Sequence, residues 1–557
     1  MAVKDKHKNF RYPKITLLDF KIVEMDRVLT GFFARIFHEG RDSRIVRSTQ
    51  NTVDDFVKQI IERDDRFKNF ADHPEAVKAW VETHLLDLVN RGRSNEAVAA
   101  PRPLHGFTYR FRNPKHCRDY GTAQQIYEML AHARYGRGKT ALDQLRKFFF
   151  EGVDPATGKL SNSDALDVET TALLNALKAD DMVDDKPKQE SREEVSPCCV
   201  GSADIMADDI IRLLTYRDVI PRSVLVEYLK ILLAFHLALY HLRLLKLLPA
   251  LVKTKGRAII CQTARCPVKP QVENVQGDCP WKVALFLDAG TESGSRAQEL
   301  AVQSAEYHYR KIPEFIRNYY LAKKLDEFGE DLRKQGHFGT GRVLSLNEVL
   351  ELLDDKWAAL RDQWFGMRWL GLREEQEEKE GALDPEIEQL TRLKLSNMDI
   401  YVEAITALRM DYHRKYIIGS LDSLMLKNRP GALLAQERVR KAPRRFSLDS
   451  RLLEVLLQLA VLRIDGPDFR TEEIKVEELM DFMRERYGLH LDKLPADEGF
   501  GEPTIQDREA LRANKAAFKN KLREIGFFQD LSDAYITQHV TPRYQLKPNV
   551  TIAGGAK

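Results

Sequence analysis

The stretch SVLVEYLKILLAFHLALYHLRLLKLLPALV, Ser223 to Val252, decides what kind of protein this is. It is the most hydrophobic segment of the 557 residues, and it must be either a membrane span or a core helix. Glu227, Lys230, Arg243 and Lys246 interrupt it, and the longest run free of formal charge, Ile231 to Leu242, falls short of the ~20 apolar residues a bilayer requires. The expectation is a long helix buried on all sides in a water-soluble, mainly helical protein.

The surrounding composition agrees. Hydrophobic residues make up 43% and charged residues 31%, which builds a core rather than a disordered chain. Lys plus Arg number 87 and Asp plus Glu 84, so the net charge of +3 selects no partner, and only local clustering can. The opening MAVKDKHKNFRYPK is basic, but no apolar run of a signal peptide follows it. With six cysteines and no export signal, a reducing cytoplasm is expected rather than a disulfide scaffold.

Before the apolar stretch, TVDDFVKQIIERDDRF and PEAVKAWVETHLLDLVNR space apolar residues at three and four, as helices do. In GTAQQIYEMLAHARYG, Thr122 followed by Gln125 spells a capping box. Residues 179–197 carry seven acids, three bases and almost no large apolar side chain, the signature of a solvated linker. The segments that follow from this reading are an N-terminal helical domain (1–178), the acidic linker (179–197), a central mostly helical domain with a short β element (198–435) and a C-terminal domain (436–557). The fold class expected is mainly α and multidomain, with a small α/β middle portion.

The C-terminal part orders three amphipathic helices, SRLLEVLLQLAVL, KVEELMDFMRERYG and DREALRANKAAFKNKLREIGFF, ahead of the strand-like AYITQHV and RYQL. That is the order of a winged helix-turn-helix domain, whose third helix can enter a major groove. In this third helix Leu511, Phe518, Leu522 and Ile525 share one face, while Arg508, Arg512, Lys515 and Lys519 form a stripe beside it. With Lys521 and Arg543 they are candidates for contact with the phosphates of double-stranded DNA. Residues 431–550 hold 20 bases and 20 acids, however, so a neutral protein–protein module is an open alternative.

Two spellings resemble catalytic motifs without completing them. Gly138-Lys139-Thr140 ends like a phosphate loop, but the first glycine position is Ala133 and a helix precedes it. Pro467-Asp468 with Glu473 and Lys475 resembles a nuclease signature, but the acids run into a helical pattern. Cys261, Cys266 and Cys279 could supply three ligands of a structural zinc, or be buried thiols. In VALFLDAGTESGSRAQEL a buried strand, Val283 to Leu287, ends at Asp288. Thr291, Ser293 and Ser295 then open a helix, with Ser295 and Gln298 placed to cap it. Such a loop could hold a phosphate or metal at a divergent enzyme site, or be an ordinary capped turn.

The segment YPKITLLDFKIVEMDRVLTGFF, Tyr12 to Phe33, with the long mixed body behind it, resembles accessory proteins of bacterial methylation-associated anti-phage defence systems. The resemblance implies a cytoplasmic protein working beside a DNA methyltransferase, an ATPase and nuclease components. It carries over no catalytic residue, because methyltransferase, complete Walker and kinase motifs are not found in the chain. The resulting expectation is a non-enzymatic, DNA-contacting scaffold or adaptor of a defence complex.

Overall fold

A computed structural model describes residues 7, 9–44, 52–63, 65–152, 166–176, 185–189, 192, 194–257, 279, 281–290, 292–338, 342–380, 384–439, 441–465, 468–496, 498–528 and 539–546. It is 60% helix and 7% strand, so the mainly α expectation holds. The apolar stretch forms a single helix, Arg222–Lys253, that passes through the middle of the molecule. It is long and apolar enough to cross a bilayer, but 89% of its most apolar window is buried within the protein. Every residue from Tyr228 to Leu242 is buried, as expected of a helix that is apolar all round.

The polar groups on this central helix are buried with partners, which removes the cost of desolvating them alone. Lys230 reaches Asp26 and Glu227. His236 Nε2 lies 3.0 Å from Asp209, and His241 Nε2 lies 3.1 Å from the Thr16 hydroxyl. Around the central helix pack Met25–Phe37, Val200–Leu214, Ile312–Lys334, Asn397–Leu424 and Ser450–Ala460. A continuous hydrophobic cluster runs through them, from Tyr12 to Val540.

The C-terminal part is fastened to this body by a buried ionic knot. The Arg486 guanidinium donates to Asp208 at 2.7 Å and to Asp209 at 2.5 and 2.9 Å. The Tyr487 hydroxyl donates to the other Asp209 oxygen at 2.7 Å, beside His236. Burial alone would raise the Asp209 pKa, but Arg486 and His236 outweigh it and hold the carboxyl down at about 2. A parallel pairing of Leu285–Phe286 with Leu489–His490 makes a second seam.

Within the C-terminal part, helices Ser450–Ala460, Val476–Tyr487 and Ile505–Glu524 follow one another. Strand Ile474–Lys475, just before the second helix, pairs antiparallel with His539–Val540 after the third. Val540 also bridges antiparallel to Phe528. Thr541 N–H donates to the Phe527 carbonyl at 3.0 Å, which extends this antiparallel contact. The RYQL end adds no strand of its own, although the backbones of Thr471 and Leu546 meet.

Three local expectations can be followed directly. The apolar run at Val283–Leu287 is buried, with Leu285–Phe286 as its paired part. Gly138 lies inside helix Arg137–Phe149, where a Cβ would stand 1.8 Å from the Leu130 carbonyl oxygen, so this glycine serves helix–helix approach. The capping box at Thr122 does not form. Gly121 is the N-cap residue, and the Gln125 side-chain oxygen instead accepts from Leu17 N–H at 2.9 Å and from the Thr16 hydroxyl at 3.1 Å. A long-range demand for that amide overrides the local spelling.

Of the acidic stretch, the described residues are seated on the N-terminal body. Asp185 accepts from Ser43 at 2.7 Å, Lys188 donates to Asp42 at 2.8 Å, and Arg192 clamps the buried Glu128 at 2.7 and 2.8 Å.

Candidate nucleic-acid interface

The terminal helix Ile505–Glu524 starts with a true capping box, Thr504 with Asp507, and Arg296 braces Asp507 at 2.9 Å. Phe518 and Leu522 are fully buried, as their spacing predicts. Asn514 is the helix's main anchor. Its amide donates to the Leu287 and Leu491 carbonyls at 2.8 Å each and accepts from Ala289 N–H at 2.8 Å. These bonds lock the helix across the parallel strand pair.

The basic residues of this helix divide into two groups. Arg508 and Arg512 are exposed, as is Arg543 after the last strand. Lys515 is half-buried and paired with Glu477 at 3.0 Å, and Lys519 is half-buried beside it. Lys521 is turned inward, with Nζ donating to the Leu448 carbonyl at 2.5 Å. Burial lowers its pKa against the pull of Asp449 and Asp288. Arg523 extends the exposed row, set by a 2.6 Å hydrogen bond to Asn520. Its signal was its place four residues beyond Lys519.

Asp288 is buried, and its Oδ1 accepts from Gly290 N–H at 2.9 Å. Arg445 Nε stands 3.5 Å from Oδ2. Desolvation raises its pKa, opposed by Gly290, Arg445 and Lys521. The backbone on either side bridges to Phe446 and Leu448. Ser295 caps helix Arg296–Tyr309 by accepting from Gln298 N–H at 3.2 Å, as read from the sequence. Ser293 Oγ lies 3.4 Å from Glu437 Oε1, which also stands 3.7 Å from Arg445 Nη1, and Thr291 lies outside the described residues. Asp288 and Ser293 are linked through Arg445 and Glu437, while Ser295 serves as the helix cap.

Of the three cysteines, Cys279 is half-buried, while Cys261 and Cys266 lie outside the described residues. Among the described residues no cluster of His, Cys, Asp or Glu has metal-binding geometry.

A large opening lies away from these residues. A cleft of about 1310 Å³ is walled by the segment Asn9–Lys21, the turn Pro114–Gly121, the end of helix Ile312–Lys334 and one face of helix Asn397–Leu424. Arg409, Tyr412, His413 and Tyr416 line it at spacings of three, one and three, one stripe of that last helix. His413 stacks on Phe10 with ring centroids 3.9 Å apart. The Arg409 guanidinium lies over the Tyr412 ring at 4.2 Å, and Lys21 Nζ over Tyr416 at 3.8 Å. Opposite, Tyr120 holds the left-handed conformation (φ 51°) ahead of Gly121 (φ 79°). A Cβ on Gly121 would stand 2.1 Å from the Leu17 carbonyl oxygen, so this turn admits only glycine.

The family model for "Methylation-associated defense system protein MAD7" matches residues 5–544. The chain belongs to this family. The match spans almost all of the described fold, including both the cleft and the terminal helix, so neither surface is an appendage to the family's common body. The accessory defence-system resemblance read from Tyr12–Phe33 therefore holds for nearly the whole chain. No curated protein and no solved structure matches it. As a MAD7-family protein it is a component of a methylation-associated defence system. In the sequence the cleft leaves one trace, the cationic and aromatic stripe Arg409-x2-Tyr412-His413-x2-Tyr416.

Proposed function

We propose that this chain is a non-enzymatic, cytoplasmic scaffold of its defence system that contacts double-stranded DNA through its C-terminal part. The observation that carries this reading is the exposed row Arg508, Arg512 and Arg523 on the third of three helices, together with Arg543, exposed just after strand His539–Val540. The pairing of Ile474–Lys475 with His539–Val540, and of Val540 with Phe528, supports a winged-helix arrangement in which that helix and the strand before Arg543 face the same duplex. The Arg486 knot supports a scaffold role, because DNA held there would be fixed rigidly to the body. An ATPase, methyltransferase or nuclease of the same system would be the partner thus positioned.

Lys515 and Lys521 are committed to internal partners, which favours a second reading as a protein–protein adaptor. An enzyme centred on Asp288 ranks below both, since the carboxyl is buried against Gly290 and Arg445.

The test is duplex binding by the full chain across a salt series. The combined change Arg508→Ala, Arg512→Ala and Arg543→Ala should weaken all duplexes alike and lower the salt slope by roughly 0.9 per lost contact. Wild-type protein with no salt-sensitive duplex binding would end the DNA reading. A variant that keeps DNA but drops a partner protein of the system would put the adaptor in its place.

A further inference from the structure

The cleft between Asn9–Lys21 and helix Asn397–Leu424 lies apart from the terminal helix and carries a different chemistry. Its cations fall into two classes. Arg112 and Lys188 share Asp42 at 2.7 and 2.8 Å, Lys334 has Asp331 at 3.0 Å, and Arg11 faces Asp19 at 3.5 Å. Lys21, Arg118, Arg368 and Arg409 have no carboxylate within ion-pair distance among the described residues. Three of these four rest on aromatic faces instead: Lys21 on Tyr416, Arg409 on Tyr412, and Arg368 on Trp364 at 4.6 Å. Arg409 Nε is buried without a hydrogen-bond partner. On the acidic side, Asp119 is spent on Ala123 N–H at 3.1 Å and Glu327 on Lys324 at 2.7 Å. Glu330 also lines the cleft with no cation at ion-pair distance among the described residues, so the uncommitted charge, four cations against one acid, is mainly positive, and it lies against the rings of Tyr412, Tyr416 and Trp364.

Tyr412 is 42% exposed, although a large ring gains most by burial. A planar group entering the cleft could stack on it while the neighbouring cations take negative charge. A nucleotide combines those two features, a flat ring and a phosphate. In a duplex the base faces are already covered by their neighbours, so a ring inside a cleft can reach only unstacked bases. The cleft also exceeds the ~300–1,000 Å³ usual for a small-molecule pocket, and its cations stand on several walls.

We propose that this cleft binds unstacked nucleobases together with their phosphates, as presented by a short single-stranded nucleic acid. Tyr412 is the stacking platform. Lys21, Arg118, Arg368 and Arg409 take the phosphates. This site is independent of the duplex contact proposed for the terminal helix.

The experiment is filter binding of 5′-radiolabelled oligothymidylate, about eight nucleotides long to match ordinary site sizes, to the purified full-length chain. Tyr412→Ala should weaken it roughly five- to one-hundred-fold, the range of one lost base stack, while Tyr412→Phe stays near wild type. Arg118→Ala, an exposed change with little risk to folding, should lower the salt slope by roughly 0.7, the value for one single-strand phosphate contact. The Arg508, Arg512 and Arg543 variant should bind the oligonucleotide normally, which separates this site from the duplex surface. Competition by thymidine monophosphate at low concentration would identify a free nucleotide as the source, and its failure would identify the strand; both support nucleotide chemistry in the cleft. The proposal is overturned if the folded Tyr412→Ala protein binds as tightly as wild type. It is also overturned if an acidic peptide competes as well as the oligonucleotide, or if oligonucleotide binding is abolished only by the terminal-helix variant.

Discussion

The knot at Asp209 and the cleft at Tyr412 are both rich in charge, yet they treat it in opposite ways. Around Asp209 every group is matched: Arg486, Tyr487 and His236 all converge on one carboxylate that water does not reach. In the cleft, Lys21, Arg118, Arg368 and Arg409 stand without carboxylate partners among the described residues, next to exposed rings. An unpaired charge is costly inside a protein and cheap at its surface. Sealed charge therefore arrives with its partners and serves the fold. Charge left open in a concave, aromatic wall is available to something from outside. This contrast, rather than the number of basic residues, separates structural from binding surfaces in this molecule.

The largest effect expected is on the sealed side, and acid should reveal it. Burial holds His105 and His308 down to about 3 and His241 to about 4. In the unfolded chain they titrate near 6.5, so below that pH the unfolded state takes up protons that the folded state refuses. Stability should be intact above pH ~6.5 and fall as the pH drops toward 4, by about 1.4 kcal/mol per pH unit for each histidine, or about 4 kcal/mol per unit for the three. Asp209, held at about 2 by its partners, adds a further loss only as pH falls through the range from 4 to 2. Denaturant unfolding between pH 7 and 5 measures this. A flat profile across that window would mean that the buried histidines are not sealed.

Next in size is the knot itself. Arg486→Met should cost about 3–5 kcal/mol, because it leaves the Asp209 carboxylate buried without its cation. Adding Asp209→Leu should recover part of that loss, since an apolar pair carries no desolvation debt. If the single variant melts like wild type, the knot does not join the C-terminal part to the body, and the contrast with the cleft loses one of its ends.

A smaller effect distinguishes the two kinds of cation within the cleft. Arg112→Ala takes from Asp42 one of the two cations that hold its carboxyl at about 2 against the burial that would raise it, leaving Lys188 alone, and should cost about 1–3 kcal/mol. Arg118→Ala should change thermal stability by no more than about 0.5 kcal/mol. Equal losses at both positions would erase the distinction between spoken-for and free cations.

What the sequence disclosed, and what it withheld, follows the reach of the interactions. The central helix was legible because Glu227, Lys230, Arg243 and Lys246 break its apolar run. The buried face at Phe518 and Leu522, and the Ser295 cap, were legible because they depend on neighbours three and four residues away. The fates of Lys515 and Lys521 were not, because Glu477 and the Leu448 carbonyl come from distant segments. Gln125 failed as a cap for the same reason, being claimed by Thr16 and Leu17. The cleft was the least legible feature. Its walls come from four separated segments, and a stripe such as Arg409, Tyr412, His413 and Tyr416 reads equally well as an ordinary helix face until the fold leaves Tyr412 open.

Asp288 stands between the two regimes and gives the finest test of the contrast. It is buried like Asp209, but its cation is held loosely, with Arg445 at 3.5 Å. Its carboxyl accordingly titrates above the ordinary value, raised by desolvation, where that of Asp209 titrates below it. The firm contact is the hydrogen bond from Gly290 N–H, which an amide oxygen can accept equally well. Asp288→Asn keeps that bond and removes a charge that burial already disfavours, so stability should change by about 1 kcal/mol or less. Protection against phage should be unaffected if Asp288 only shapes the strand end. A variant that melts normally but abolishes defence would make this carboxylate a working group. It would then break the rule that sealed charge in this protein serves only the fold.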